Sequence, residues 1–395
     1  MSEWKTVRLG DVCEIAAGQG APQGDSNYCN DGTPFVKAGN LIELIEGKHE
    51  NQIQKVSEEV AKSHKLKKYS AGSILFAKSG MSCMKGYVYQ LKNDSYVVSH
   101  LAIVKPKEDS SNYIEYCLRH IKPNTLVKDE AYPSISLQDI SNIQIPLPPL
   151  EEQKHIANVL DKCTVLIAKY KKMLAKYDTL IKSRFIEMFG DPVQNPMGWK
   201  VKPMGDLLSV LTDFSANGSY KTLDSNVIMY DEPNYALMIR TTDLESGDFR
   251  NNVKWVDEKA YNLLSKSKIY GKEIIMNKIG SAGKVYLMPE LNIPVTLGRN
   301  AFLFRYKENI NSVYIYFLLT SEYGQNEIKP YIRGAVTKTI TKDDVRKIRI
   351  PVPPLTLQNN FATFVHQIDK SKFAVQKSLE KTETLYKSLM QEYFG

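Results

Sequence analysis

This 395-residue sequence contains the same series of segments twice, and this repeat limits the possible folds more than any other feature of the sequence. The segment SISLQDISNIQIPLPPLEEQ, residues 134–153, returns as TITKDDVRKIRIPVPPLTLQ, residues 339–358. WKTVRLGDV near the start is matched by WKVKPMGDL from Trp199, and the halves end in EMFG and EYFG. A repeat that keeps its order over half a chain indicates duplication of one structural unit, so any fold must be built twice.

The secondary structure that the sequence predicts changes along each half. Its first part contains short runs typical of β-strands, such as SILFA at Ser73 and EIIMNKI at Glu273, separated by Gly, Asn, Ser and Pro. Its last part follows a proline and then holds about forty residues without another, as a long helix requires. The sequence predicts an α+β fold with two globular α/β domains in tandem, residues 1–148 and 191–353, each followed by a helical segment, residues 149–190 and 354–395.

Apolar residues in the helical segments recur in alternating steps of four and three, which is the period of a coiled-coil seam. The alternative, an amphipathic helix lying on its own domain, would give a period nearer 3.6. Lys372 and Thr382 interrupt the seam. We expect the two helices to pair as an antiparallel coiled coil of about 50 Å that holds the globular domains apart, with the prolines stiffening each junction. The predicted seam residues are Ile156, Leu160, Cys163, Ile167, Tyr170, Leu174, Tyr177 and Ile181 in the first helix, and Phe361, Val365, Ile368, Val375, Leu379, Tyr386 and Leu389 in the second.

Composition limits the classes of protein to which this chain can belong. An apolar content of 43% over this length supports more than one core, and neither a leader segment nor a membrane-spanning apolar run is visible. The five cysteines include no C-x-x-C pair and the six histidines are scattered, which predicts a reducing, cytoplasmic setting and no metal site. The net charge of +8 favours a polyanionic partner, although the lysine-rich helical segments carry part of that excess.

The repeated proline segments and the junction FGDPVQNPMGW, residues 189–199, resemble the specificity subunit of bacterial type I restriction-modification systems. The resemblance implies two target recognition domains alternating with two conserved helical regions. It further implies a non-catalytic subunit that binds double-stranded DNA at a bipartite target and docks two modification subunits, and in some systems restriction subunits, with no role at a membrane. No cofactor is expected in this chain, since S-adenosylmethionine, ATP and Mg would belong to partner subunits.

Three groups of residues are candidates for DNA contact. The loops AKSGMSCMKG and NKIGSAGK combine glycine, serine and lysine, as a phosphate-binding turn would, although a plain hairpin turn with solvated lysines fits equally. The segments that precede the proline phrases lie near DNA in the resembling family, and matched polar residues elsewhere would suit base edges or merely strand ends. The candidates are Lys78, Ser79, Lys85, Lys278, Ser281 and Lys284 in the loops, Tyr132, Ser134, Arg333, Thr337 and Lys338 before the proline phrases, Lys37 and Asn40 of the first half matched with Arg240 and Thr241 of the second, and His100 matched with Arg299.

Two other function classes stay open. A free-standing DNA methyltransferase would need a D/N-P-P-Y/F turn, and the nearest stretch, NPMG at Asn195, lacks the second proline and the aromatic residue. GSAGK at Gly280 lacks the spacing of a phosphate loop. The remaining alternative is a coiled-coil scaffold that binds only proteins.

Overall fold

The two halves of the sequence fold into the same set of three small sheets. The computed structural model describes residues 4–395, so the first three residues of the predicted domain 1–148 lie outside it. One unit comprises the described residues up to Lys171 together with Gln376–Gly395, and the other comprises Lys172–Val375. Each unit therefore contains one globular domain and parts of both long helices.

In the first unit, a four-stranded antiparallel sheet has the order β2-β8-β5-β6, and a smaller sheet has the order β4-β3-β7 with β3 and β7 parallel. A third sheet pairs the first and last strands, β1 and β9. The strands are β1 (Lys5–Arg8), β2 (Cys13–Ala17), β3 (Thr33–Val36), β4 (Lys55–Val56), β5 (Ile74–Ala77), β6 (Val88–Gln90), β7 (Tyr96–Val97), β8 (Leu101–Pro106) and β9 (Gln144–Leu147). The helices are α1 (Leu9–Val12), α2 (Asn40–Ile45), α3 (Glu58–Ser63), α4 (Ser111–Ile121), α5 (Leu137–Ser141) and the long α6 (Leu150–Phe189).

The second unit repeats this topology with one additional strand, β14, and its sheets are β11-β18-β15-β16, β13-β12-β17-β14 and β10-β19. The strands are β10 (Lys200–Pro203), β11 (Leu208–Asp213), β12 (Ala236–Ile239), β13 (Lys254–Val256), β14 (Lys268–Ile269), β15 (Ile274–Asn277), β16 (Val285–Leu287), β17 (Val295–Leu297), β18 (Ala301–Tyr306) and β19 (Arg349–Val352). The helices are α7 (Met204–Leu207), α8 (Tyr220–Asn226), α9 (Thr241–Ser246), α10 (Glu258–Leu263), α11 (Ser312–Thr320), α12 (Glu322–Ile328), α13 (Lys342–Lys347) and the long α14 (Leu355–Phe394). Short 3-10 turns complete both units, and the α+β fold class predicted from the sequence is confirmed.

The proline phrases are strands as well as helix starts. In β9, Pro146 lies opposite Thr6 of β1, and in β19, Pro351 lies opposite Val201 of β10. Proline is tolerated there because a two-stranded sheet leaves one edge of each strand unpaired. Each phrase thus ties the beginning of its half to the end of the globular domain, which is a more specific role than the stiff junction that the sequence predicts.

A buried glutamine joins each proline phrase to the neighbouring helix. The side chain of Gln358, fully buried, donates to the Pro353 carbonyl at 2.8 Å and accepts from the backbone N–H of Asn311 at 2.8 Å. Gln153 makes the same two contacts, to the Pro148 carbonyl at 2.9 Å and from Ser110 at 3.0 Å. A buried amide that satisfies two backbone groups fixes where each long helix begins.

The long helices α6 and α14, of 40 residues each, are antiparallel where they pair. In the first unit, Lys171 of α6 forms an ion pair with Glu383 of α14 at 3.1 Å. In the second unit, Lys372 of α14 donates to Asp178 of α6 at 2.7 Å. Higher numbers in α6 meet lower numbers in α14, which confirms the antiparallel coiled coil.

No residue of the predicted seam is exposed. The interruption at Lys372 is accounted for by its ion pair with Asp178, and Thr382 donates to the Ser378 carbonyl of its own helix at 2.8 Å. The fully buried seam residues are Ile156, Leu160, Cys163, Ile181, Phe361, Val365 and Leu379; the partly buried ones are Ile167, Tyr170, Leu174, Tyr177, Ile368, Val375, Tyr386 and Leu389.

Aromatic side chains anchor the helix pair within each unit. In the second unit, Phe185 and Phe189 of α6 pack against Phe361 of α14, with ring centroids 5.4 and 5.5 Å apart, and against Tyr314 of α11. In the first unit, Phe394 of α14 packs against Tyr113 of α4 at 5.4 Å. Such pairs add to the free energy of burial, so each globular domain is attached to its part of the coiled coil by a specific core.

Among residues 4–395, no helix combines the length and the apolar character needed to cross a membrane.

Candidate nucleic-acid interface

In the first unit, three segments that are distant in sequence meet at one end of the four-stranded sheet. The backbone of Lys78, just after β5, donates to the His100 carbonyl at 2.9 Å and accepts from Ile135 at 2.8 Å. Gly80 donates to the Pro133 carbonyl at 2.9 Å, so the loop is held on both sides. Its glycine has a φ of 75°, a left-handed conformation in which a side chain would be strained.

The second unit builds the same junction from different residues. Lys278, after β15, donates to the Asn300 carbonyl at 2.8 Å and accepts from Ile340 at 3.0 Å. Gly280 donates to the Lys338 carbonyl at 2.9 Å. The loop and the segment before the proline phrase, which the sequence names as separate candidate groups, are therefore one surface in each unit. We call these the first and second junction surfaces, built around residues 78–80 and 278–280.

The first junction surface presents basic, hydroxyl and aromatic side chains. The Ser79 hydroxyl lies 2.8 Å from Nδ1 of His100, and the exposed Ser134 pairs with Ser79 through the backbone. Tyr132 is 82% exposed, so its ring is open to a partner. Lys78 and Lys85 have no carboxylate partner among residues 4–395, so their ammonium groups are available to phosphate.

The second junction surface instead holds its basic side chains on carboxylates. Lys278 donates to Asp213 at 2.7 Å, and its side chain is 16% exposed. Ser281 donates to Glu245 at 2.6 Å, and Lys284 lies 3.7 Å from the same carboxylate. Lys278 and Lys284 would therefore have to make their predicted phosphate contacts beside these carboxylates.

Asp213, at the end of β11, is shared by two lysines. It accepts from Lys278 at 2.7 Å and from Lys342 at 2.8 Å, and its side chain is buried. Burial by itself would raise the pKa of this carboxyl group, but the two lysines outweigh burial and hold the pKa below its usual range. The carboxylate is therefore charged at neutral pH and fixes the base of the 278–280 loop.

The segment before the second proline phrase is an exposed hairpin. Arg333 and Thr339 exchange two backbone hydrogen bonds of 2.9 and 2.8 Å, and the intervening residues, which include Thr337 and Lys338, are exposed. Arg333 itself donates to the buried carboxylate of Asp344 at 2.9 Å. The turn needs Gly334, which has a φ of 98° and a backbone carbonyl directly against the place of a Cβ.

Lys37 and Arg240 lie at matching strand ends beside the junction surfaces. Lys37 donates to Gln54 at 2.7 Å and lies 4.3 Å from the centroid of the Tyr28 ring. Arg240 holds Asp243 through Nε and Nη2, at 3.1 and 2.6 Å, and Nη2 also donates to the Asn252 carbonyl. Three of its donor contacts are thus made inside the chain, which leaves Nη1 for any base edge.

The structure corrects two of the pairings between halves that the sequence suggested. Asn40 accepts from the Lys37 amide at 2.9 Å as Asp243 does from Arg240 at 2.7 Å, so Asn40 matches Asp243 and not Thr241. His100 occupies the place of Asn300, since each accepts from the loop lysine, and the counterpart of Arg299 is Ser99. The one-residue error at His100 arose because the turn before β8 and β18 holds no apolar residue that would fix the alignment.

Arg299 is held more firmly than its exposed position suggests. It donates through Nη1 to the Tyr220 hydroxyl at 2.7 Å and forms an ion pair with Asp224. Its guanidinium carbon lies 5.1 and 4.9 Å from the ring centroids of Phe214 and Tyr220.

Several residues that shape these surfaces were missed by sequence reasoning. Asp243 had a signal, since it stands where Asn40 stands in the other half, and Gln153 and Gln358 had one in the repeated PPL-x-x-Q. The others have no counterpart in the first half and gave no signal; they are Asp213, Phe214, Tyr220, Asp224 and Glu245. Among residues 4–395, no group of three or more His, Cys, Asp or Glu side chains is placed to hold a metal ion.

Comparison with known proteins gives one consistent result. A family model described as "Type I restriction modification DNA specificity domain" matches residues 1–175 and 196–383. The specificity subunit of type I restriction enzyme MjaVIII from Methanocaldococcus jannaschii is 23% identical over 421 residues, which covers 98% of this chain and 91% of that protein.

Two solved structures share the fold. The S subunit of a type I restriction-modification system from M. genitalium superimposes with a TM-score of 0.63 at 14% identity, over 99% of this chain and 96% of that one. A chain solved in work on complex assembly and conformational transition of the type I R-M system gives a TM-score of 0.53 at 16% identity, over 100% and 98%.

Proposed function

Because this chain belongs to the family of type I restriction modification DNA specificity domains, as its sequence predicts, we propose that it is the sequence-reading subunit of a type I restriction-modification enzyme. Each unit would read one half of a bipartite DNA target through its junction surface. The coiled coil would serve as the spacer between the half-sites.

The observation that carries this proposal is the duplicated junction. Both units use the same backbone hydrogen bonds to bring a glycine-containing loop, a strand end and a proline-phrase segment together, yet the side chains displayed there differ. A shared backbone arrangement that displays different side chains suits two domains that recognise different DNA sequences. Base recognition depends on which hydrogen-bond donors and acceptors a domain presents. Basic residues in the loops of both junction surfaces favour a polyanionic partner over a scaffold that binds only proteins.

We propose two modification subunits as partners, docked on the helical regions, and restriction subunits in systems that cleave DNA. The methyl donor S-adenosylmethionine, and ATP and Mg where cleavage occurs, would be bound by those partners. In this division of labour the chain contributes recognition and no chemistry. The curated relative is itself named a specificity subunit, which supports the same assignment.

The test is a binding selection with the full chain and its modification subunits on random-sequence DNA, read by sequencing and then by fluorescence anisotropy. The expected result is a bipartite motif bound on the order of a thousandfold or more tightly than random duplex. Modification subunits alone are the control and should select no motif. Binding without sequence preference would contradict the proposal, and methyl transfer by the chain alone would favour the free-standing methyltransferase.

A further inference from the structure

We propose that Arg299 reads a guanine in the half-site of the second unit, and that Asp224 and Tyr220 are positioning residues that aim it. This inference rests on the proposed function and adds a base identity to it.

A guanidinium has five N–H donors in a planar fork. Arg299 uses one Nη1 donor on Tyr220 and one Nη2 donor on Asp224. Among residues 4–395, Nε–H and one hydrogen on each Nη have no partner, and the side chain is 37% exposed. Two adjacent donors are what a bidentate contact to O6 and N7 of guanine requires, and that contact is the commonest specific one in the major groove.

Contacts within the chain restrict the orientation of the Arg299 guanidinium before DNA binds. Phe214, which is buried, and Tyr220 place their rings 5.1 and 4.9 Å from the guanidinium carbon. These ring contacts and the ion pair with Asp224 restrict the guanidinium, so less side-chain entropy remains to be lost on binding. A flexible solvated arginine would lack this advantage.

The carboxylate also distinguishes a base from a phosphate. A phosphate oxygen placed on the Arg299 fork would lie close to the negative charge of Asp224 and be repelled by it. A guanine edge is neutral and carries no such penalty. The arrangement therefore favours a base contact over the phosphate contact expected of a free lysine or arginine.

There is room for a base edge beside the fork. Arg299 borders an open depression of about 290 Å³, whose other wall includes Arg240 and Thr241. Among residues 4–395, the unpartnered donors of Arg240 are both on Nη1, so it cannot offer donors on two adjacent nitrogens. In the first unit the corresponding residue is Ser99, so this mode of reading belongs to the second half-site alone.

The experiment uses the full chain with its modification subunits on the bipartite site found by selection. Each guanine of the half-sites is replaced in turn by 7-deazaguanine, which lacks only the N7 acceptor. We expect one guanine whose replacement weakens wild-type binding about tenfold. In Arg299→Ala the same replacement should have no further effect, and Arg299→Lys should keep the charge and the salt dependence but lose this sensitivity.

Two further variants distinguish a positioning role of Asp224 from a role in folding. Asp224→Asn should leave thermal unfolding unchanged and reduce the preference for that guanine over adenine. The control is Arg8→Ala, an exposed arginine that also pairs with an aspartate, Asp11 at 3.1 Å, but lies in the first unit. Its preference should equal that of wild type.

Three outcomes would overturn the proposal. One is a wild-type complex indifferent to 7-deazaguanine at every position, and another is a sensitivity that survives in both Arg299 variants. The third is a uniform loss of affinity with a reduced salt dependence in Arg299→Ala, which would mark a phosphate contact. Only a wild-type complex without any sequence preference would overturn the proposed function as well.

Discussion

Five basic side chains at or beside the second junction surface already hold carboxylates: Arg240, Lys278, Lys284, Arg299 and Arg333. On the first surface, neither Lys78 nor Lys85 has a carboxylate partner within the described part of the chain. Since a lysine that is already paired must give up or share its partner to bind phosphate, the two surfaces should differ in their dependence on salt.

The first prediction compares Lys278 with Lys85, which is exposed and has no carboxylate partner in the region from residue 4 onward. Lys85→Ala should lower DNA affinity and reduce the slope of log affinity against log salt by about 0.9, the value for one phosphate contact. Lys278→Ala should change the slope much less, because its ammonium is held by Asp213. Fluorescence anisotropy at several salt concentrations measures both, and equal slopes for the two variants would contradict the assignment.

The second prediction concerns Gln358. Gln358→Ala should lower the free energy of unfolding by about 1–3 kcal/mol, because the Asn311 amide and the Pro353 carbonyl would lose their partner inside a buried region. Chemical denaturation measures the loss. The matched control is Gln367→Ala on the exposed face of the same helix, which should change stability by less than about 0.5 kcal/mol. Equal effects would mean that the glutamine does not fix the helix start.

The third prediction is a pH dependence centred on Asp213. Its pKa in the folded chain lies below the unfolded value, because the two lysines outweigh the effect of burial. The resulting stability is therefore present above about pH 4 and is lost as pH falls through the lower folded-state pKa. Asp213→Asn should be less stable than wild type by about 2 kcal/mol at pH 7, and the difference should shrink toward pH 3.

Thermal unfolding from pH 3 to pH 7 measures this difference. Asp231→Asn is the control, since that carboxylate is 81% exposed in its pair with Lys254 and should contribute little at any pH. A gap between Asp213→Asn and wild type that stays constant as the pH falls would contradict the role of the carboxylate.

At the scale of elements, the repeat and the helical period were enough to predict the architecture. The runs at Ser73 and Glu273 became the central strands β5 and β15, and the helices lie within a residue or two of the proline-free stretches. Those features follow from local patterns of apolar residues and proline. Lys372 interrupts the apolar seam in the sequence. Its ion-pair partner, Asp178, could not be predicted because it lies 194 residues away.

The fourth prediction concerns the length of the coiled coil. Each long helix begins in one unit and ends in the other, so inserting one heptad at matching positions of both preserves the seam and lengthens the segment. We expect the selected DNA motif to keep both half-sites and change the number of base pairs between them. An insertion of four residues in one helix alone breaks the seam and is the control, which should lower stability; an unchanged spacer after the double heptad would contradict the spacer role.

At the scale of the whole molecule, the sequence predicted the kind of protein better than the details of its surfaces. The duplicated proline segments identified the family, and the loops around Lys78 and Lys278 were recognised as matched. The ion pair of Arg299 could not be predicted, since Asp224 lies 75 residues away and has no equivalent in the first half. Side-chain partners across a surface depend on tertiary packing, which a single sequence with no local period does not specify.

The fifth prediction is the most direct test that one chain carries two unlike readers. Genomic adenine methylation is mapped by single-molecule sequencing in cells with and without this chain, the modification subunits being present in both. The expected result is one motif of two dissimilar half-sites separated by a fixed number of unspecified base pairs, methylated only when the chain is present. Methylation that is unchanged by its removal, or a single continuous motif, would contradict the proposal.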